Sequence, residues 1–134
     1  MNKIVVDTDV VSFLFKRDSR AFLYSPHLMN KVMVVSFMTV AELDQWTLER
    51  NWGEERCAKL AEYLQAYVVH PFDRALCRKW AEVRVQRRKK GKPIEFADAW
   101  IAATALLHQI PLVTHNRKHY TEIDGLTVIS ESPE

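Results

Sequence analysis

The sequence predicts a three-layer α/β/α domain with a central parallel sheet of about five short strands. Two observations carry that expectation. The strand-like runs are short, continuous and apolar rather than alternating: Ile4-Val5-Val6, Val32 to Val35, Tyr67 to Val69, Leu112-Val113 and Thr127-Val128-Ile129. Strands of that kind are buried on both faces, as in parallel sheets. Helical segments lie between them, and parallel neighbours need such crossovers. With 134 residues, 48% of them hydrophobic, the chain can build one full core but not two. A single domain is expected over residues 1–130, with a loose tail over 131–134.

The helices follow in order. Residues 9–15 give one or two turns after the first strand, and 19–30 give a weaker helix interrupted by Pro26. Residues 39–50 and 54–66 read as two helices split by Gly53. Residues 73–90 form a long amphipathic helix, with Ala75, Leu76, Trp80, Val83 and Arg87 on one face, stopped by Gly91 and Pro93. Residues 95–108 are almost wholly apolar, so this helix should be central. Trp46, Trp52, Trp80 and Trp100 read as core or interface anchors rather than base-stacking platforms.

Composition removes several function classes. Three glycines, Gly53, Gly91 and Gly125, leave no Gly-rich phosphate loop, which argues against P-loop and dinucleotide folds. Cys57 and Cys77 form no metal-spaced pair, so a reduced, cytoplasmic protein is expected. The N-terminal residues lack the apolar core of a signal peptide, and no run approaches a membrane span. The net charge of +2 demands no polyanionic partner. Yet Arg84, Arg87, Arg88, Lys89, Lys90 and Lys92 cluster in one stretch. That stretch is either a solvated helix end or a grip for phosphates.

Ligands of such sheets bind beyond the carboxyl ends of the strands. Asp7, Ser36 and Thr114 to Asn116 fall there. Asp7 follows the first strand, and either it or Asp9 can cap the next helix. Thr39-Val40-Ala41-Glu42 matches a capping box, which competes with any site role for Glu42. Asp98 sits early in the most apolar helix, where a carboxylate needs a partner or a cation. If the fold gathers these acids they repel one another, and a hard cation such as Mg²⁺ or Mn²⁺ relieves that. Thr114 and Asn116 can also be plain turn residues. His115 and His119 have the four-residue spacing of a helical zinc pair, with no cysteine nearby.

With these residues in place, the sequence resembles PIN-domain ribonucleases of the VapC toxin type. The matching pieces are Ile4-Val5-Val6-Asp7-Thr8-Asp9-Val10-Val11-Ser12, Thr39-Val40-Ala41-Glu42-Leu43, Ala97-Asp98-Ala99-Trp100-Ile101-Ala102-Ala103-Thr104-Ala105 and Leu112-Val113-Thr114-His115-Asn116. The resemblance implies a metal-dependent endoribonuclease, with Asp7, Glu42 and Asp98 as acidic metal-site and catalytic residues and Asn116 beside them. It implies an RNA substrate, a small antitoxin partner and a homodimer. Thr114 becomes a pocket residue, and Arg87, Arg88, Lys89 and Lys90 become candidates for holding RNA. One departure stands out. The family often continues Thr-x-Asn-x-x-Asp-Phe, and here His119 occupies the place of that Asp. Imidazole suits Mn²⁺ better than Mg²⁺. Asp9, where the family often has Asn or Ser, can restore negative charge.

Two rival readings share these residues. In a haloacid-dehalogenase-like phosphatase, Asp7 is the nucleophile and Asp9 the general acid, but no acidic pair follows Leu112-Val113. In a catalytically silent relative, the pocket only engages a partner.

Overall fold

A computed structural model describes residues 2–133. Among these residues there are five strands and six helices: β1 (Lys3–Val6), α1 (Thr8–Lys16), α2 (Ala21–Leu28), β2 (Val32–Ser36), α3 (Phe37–Glu49), α4 (Glu54–Leu64), β3 (Val68–His70), α5 (Arg74–Lys89), α6 (Phe96–His108), β4 (Leu112–Val113) and β5 (Val128–Ile129). A 3₁₀ turn, Arg117–Tyr120, follows β4. The strands form one parallel sheet in the order β3-β2-β1-β4-β5. The expected three-layer architecture is therefore the one observed.

Pleating of β1 divides the core in two. Ile4 and Val6 face a cluster with Val10, Val11, Tyr24, Leu43 and Leu60, so α1 to α4 cover that side. Val5 faces Val83, Ile101, Ala102 and Leu112, so α5 and α6 cover the other. Ala99, Ala102, Ala103 and Ala105 are fully buried, and their small side chains let α6 lie close to the sheet.

Local chemistry moved several boundaries. Helix α3 begins at Phe37, two residues before the expected start, because Ser36 ends β2 and accepts a hydrogen bond from Met38 N at 3.0 Å. The expected capping box at Thr39 is thereby displaced into the helix. Pro26 lies inside α2 rather than ending it. The expected loose tail is anchored at Glu131, whose carboxylate meets His27 Nε2 at 2.8 Å and whose N–H donates to Tyr24 Oη at 3.1 Å. Glu134 lies outside the described residues. Both cysteines are free. Among the described residues no helix is long and apolar enough to cross a membrane.

Candidate active site

The carboxyl edge of the sheet brings together side chains from four separate segments. Asp7 follows β1, Glu42 lies on the second turn of α3, Asp98 on the first turn of α6, and Asn116 follows β4. With Thr8, Asp9, Trp46 and His119 they line a recess of about 180 Å³. The recess sits beside the β1–β4 pair, where the strand order reverses direction, the usual ligand position of such sheets.

Asp7 is only 6% exposed. Its Oδ1 accepts from Thr8 N at 2.8 Å, so Asp7, not Asp9, caps α1. Its Oδ2 accepts from Thr114 Oγ1 at 2.7 Å and from Tyr120 Oη at 3.1 Å. Burial raises its pKa to about 6; the Asp98 charge adds to this, and the hydrogen bonds partly oppose it. Asp9 has other partners. Its Oδ2 accepts from Asn116 Nδ2 at 2.8 Å and from His115 N at 3.1 Å. Burial, then the Asp7 charge, pushes it up to about 8.

Glu42 makes no capping box. Its Oε1 accepts from Thr8 Oγ1 at 2.7 Å, and Thr8 Oγ1 lies 2.9 Å from Thr39 Oγ1. The two buried threonines therefore orient the acid toward the recess. Asp98 Oδ1 lies 3.2 Å from Tyr120 Oη, and its Oδ2 lies 3.2 Å from His119 Nδ1. Burial raises the pKa of Asp98 and the nearby imidazole lowers it. Glu42 is raised by burial as well.

The donor set is all oxygen apart from the His119 imidazole, which suits a hard divalent cation. Four carboxyl groups with raised pKa values also carry the mutual repulsion that a cation relieves. Among the described residues, however, no three His, Cys, Asp or Glu side chains are placed so that they could hold a metal ion together. Hydrogen bonds from Thr8, Thr114 and Tyr120 hold the acids in an open arrangement instead.

Other expected site residues are placed differently. Thr114 is completely buried and spends its hydroxyl on Asp7, so it positions the acid rather than touching substrate. His115 packs edge-on against Phe13 and Tyr24, with Nδ1 2.5 Å from Tyr24 Oη, while His119 faces Asp98. The two histidines diverge and make no zinc pair. Arg87 is 5% exposed and donates to the carbonyls of Lys92 at 2.6 Å and His119 at 3.0 Å. It is a buried structural cation, with its guanidinium turned to backbone carbonyls rather than to solvent. Lys90 is spent on Glu122 O and Asp124, while Arg88 and Lys89 are exposed. Three contributors escaped sequence reasoning: Thr8, Tyr120 and Trp46. Thr8 sits between two acids, but Tyr120 and Trp46 carried no local signal of their own.

Comparison with known proteins agrees with this geometry. The PIN domain family model matches residues 4–126. The VapC ribonuclease Y4jK of Sinorhizobium fredii is 35% identical, covering 95% of this chain and 96% of its own. Ribonuclease VapC1 of Haemophilus influenzae is 31% identical, covering 91% and 92%. Among solved structures, DNA-bound VapBC from Salmonella typhimurium superposes with a TM-score of 0.85 at 21% identity over 97% of this chain and 98% of that one. VapBC-1 from nontypeable Haemophilus influenzae gives 0.79 at 26%, over 95% and 96%. The chain belongs to the PIN-domain family, among the VapC ribonucleases.

Proposed function

We infer that this chain is a metal-dependent endoribonuclease and the toxin of a toxin–antitoxin pair. The observation that carries this is the convergence of Asp7, Asp9, Glu42 and Asp98 on one recess, in a chain belonging to a family of ribonucleases. The relatives named VapBC are solved as complexes with a second protein, which supports a small antitoxin partner here. A homodimer and a cytoplasmic location belong to the same reading.

Asp7, Asp98 and Glu42 would hold Mg²⁺ or Mn²⁺, with Asp9 and His119 as further contributors. When bound, the cation supplies a water of lowered pKa and neutralises charge at phosphorus. The rest is done by this chain. Thr114, Tyr120 and the Thr8 N–H fix the Asp7 carboxylate in one orientation. The Thr39–Thr8 pair fixes Glu42. Asn116 ties the Asp9 carboxyl to the polar loop after β4. Such prior orientation spares the site the cost of ordering its groups as substrate arrives.

The phosphatase reading fares worse on geometry. That reading needs Asp9 as a general acid, and the Asp9 carboxyl is held by Asn116 Nδ2 and the His115 N–H instead. The loop after β4 supplies His115 and Asn116 in place of an acidic pair.

The test is incubation of purified protein with RNA and Mn²⁺ or Mg²⁺, with and without EDTA, alongside Asp98→Asn. Cleavage that needs the metal and fails in the variant is expected. Cleavage undiminished by chelator removes the metal mechanism. No cleavage by wild type under any metal favours the silent-module reading.

A further inference from the structure

The basic stretch that the sequence offers to RNA is largely spent within the chain. Arg84 donates to Ile94 O, Arg87 to two carbonyls, Lys90 to Glu122 O and Asp124, and Lys92 pairs with Glu122. A different set of cations gathers around Trp46 and Trp52, and Trp46 borders the acidic recess. Lys16 ends α1, Arg50 follows α3, and Arg56 lies in the first turns of α4. Among the described residues no carboxylate lies within ion-pair distance of any of them. Their neighbours are paired: Lys59 with Glu55, and Arg20 with Asp18. Partial burial, and then the charges of Arg50 and Arg56, press the Lys16 pKa down.

These cations lie on aromatic rings. Lys16 Nζ is 5.9 Å, and the Arg50 guanidinium 5.1 Å, from the centre of the Trp46 ring. The Arg56 guanidinium is 3.7 Å from the centre of the Trp52 ring, which stacks on Phe15 at 6.0 Å. Trp46 itself borders the recess, one helical turn beyond Glu42. Lys16 and Arg56 also border a groove of about 1080 Å³ shared by α1 and α4. The strip thus starts at the acids and runs outward over two indoles.

Long cationic side chains often just cover apolar surface while their heads stay in water. That reading leaves two features unexplained: three cations outside any ion pair, with Asp18 acting on Lys16 only from a distance, and their gathering over two indoles of which one borders a recess of opposite charge. A nucleic acid strand needs this alternation. The scissile phosphate meets the acids and their cation, adjoining phosphates meet Lys or Arg, and bases meet aromatic faces. We propose that Lys16, Arg50 and Arg56, set over Trp46 and Trp52, form the strip that receives single-stranded RNA beside the recess. This rests on the ribonuclease reading and says which surface carries its substrate.

The test uses the full chain carrying Asp98→Asn, so that RNA stays intact, and a fluorescent oligouridine in EDTA across a salt series. Adding Lys16→Gln and Arg50→Gln removes charge but keeps stems over Trp46. The log–log salt slope should flatten by about 1.4, at roughly 0.7 per lost contact with a single strand. A charge-matched pair, Lys3→Gln and Lys31→Gln, sits at the amino ends of β1 and β2 and should leave the slope unchanged. Trp46→Ala should weaken binding roughly 5- to 150-fold, the range of one lost base stack, and Trp46→Phe should retain most of it.

An unchanged slope in the Lys16/Arg50 variant, or an equal change in the Lys3/Lys31 variant, overturns the strip. An unchanged RNA slope together with lost binding to a protein co-expressed from the adjoining gene assigns the strip to that protein instead. Cleavage by wild type is scored separately. A chain that cuts RNA with the slope unmoved keeps its function and loses this surface. A chain that neither binds nor cuts RNA loses both.

Discussion

The Tyr120 hydroxyl lies 3.1 Å from Oδ2 of Asp7 and 3.2 Å from Oδ1 of Asp98, so one buried phenol spans two acids from opposite ends of the chain. Burial and the charges of Asp7 and Asp98 push its pKa far up, so it remains a donor at any working pH. Removing that donor leaves two carboxylates facing each other with nothing between. Tyr120→Phe keeps the ring in the core and should cost about 2 kcal/mol at pH 8, the scale of a hydrogen bond to a charged group. The cost should shrink at pH 5, where one acid can carry the shared proton. Denaturant unfolding at both pH values checks this, and an equal cost at each would detach Tyr120 from the acids.

The acids give metal-free protein an inverted pH profile. Asp7 and Asp9, ordinarily near 3.8, titrate at about 6 and about 8 in the fold, raised mainly by burial. Between the unfolded and folded values the native chain holds protons that the unfolded chain has released, so stability falls as pH rises. The contribution is complete below about pH 4 and is lost through pH 6 and then pH 8. Glu42 and Asp98 are raised too and act in the same direction. The exposed acids Asp18, Glu82 and Glu122 are held low by cations, so their opposite effect falls below this window. Melting temperature in EDTA should therefore drop from pH 5 to pH 8, and Asp9→Asn should flatten the drop. A flat wild-type profile would contradict the burial of these carboxyl groups.

The fold was legible because its signals are local. Short apolar runs such as Ile4-Val5-Val6 identify parallel strands, and Gly53, Gly91 and Pro93 mark the helix ends. Strand ends then place Asp7 and Asn116 without any knowledge of packing. The misreadings all involve side chains whose partners are distant in sequence. Arg87 looked like one cation among many, but its guanidinium reaches His119 O, 32 residues away. Thr39 looked like a cap because Ser36, the actual cap, reads as a strand-end residue where ligands bind. Trp46 packs on the core as expected, and what local pattern did not show is its cationic neighbour Lys16, from a helix 30 residues earlier.

Glu42 separates charge from architecture. The acid sits in the second turn of α3 and accepts from Thr8 through Oε1. Glu42→Gln keeps an oxygen for that hydrogen bond and removes a charge that burial and Asp7 disfavour, so its melting temperature should equal or exceed that of wild type. RNA cleavage should nevertheless fall by about 10²-fold or more, the scale of losing one electrostatic group from a reacting centre. Thermal melts paired with cleavage rates decide it. A variant that melts early and keeps its rate per folded molecule would make Glu42 structural.

His119 should set the metal preference. Its Nδ1 lies 3.2 Å from Asp98 Oδ2, at the mouth of the recess. An imidazole there favours Mn²⁺ over Mg²⁺, so wild-type cleavage should be faster with Mn²⁺. His119→Asp should reverse or narrow that ratio, and His119→Ala should lower metal affinity about 10- to 100-fold if the imidazole orients Asp98. Cleavage titrated against each metal reads both effects. A clear Mg²⁺ preference in wild type removes His119 from the cation's surroundings.

Arg87 and Arg88 are adjacent in sequence and should behave oppositely. Arg87 is 5% exposed, and its guanidinium bonds the carbonyls of Lys92 and His119, joining the end of α5 to the 3₁₀ turn that carries His119 and Tyr120. Arg87→Ala strands those carbonyls and leaves a cavity, so it should cost about 3 kcal/mol. Arg88 is exposed on the same helix, and Arg88→Ala should change stability by less than about 0.5 kcal/mol. Neither should alter the salt dependence of RNA binding beyond what unfolding explains. Because Arg87 supports the turn beneath Tyr120, its loss should also loosen the Asp7–Asp98 bridge. Amide exchange should then quicken at residues 117–120 while β1 stays protected. If Arg87→Ala is as stable as wild type but flattens the salt slope, Arg87 leaves its carbonyls to meet RNA, and the α5 stretch regains the role that its charge first suggested.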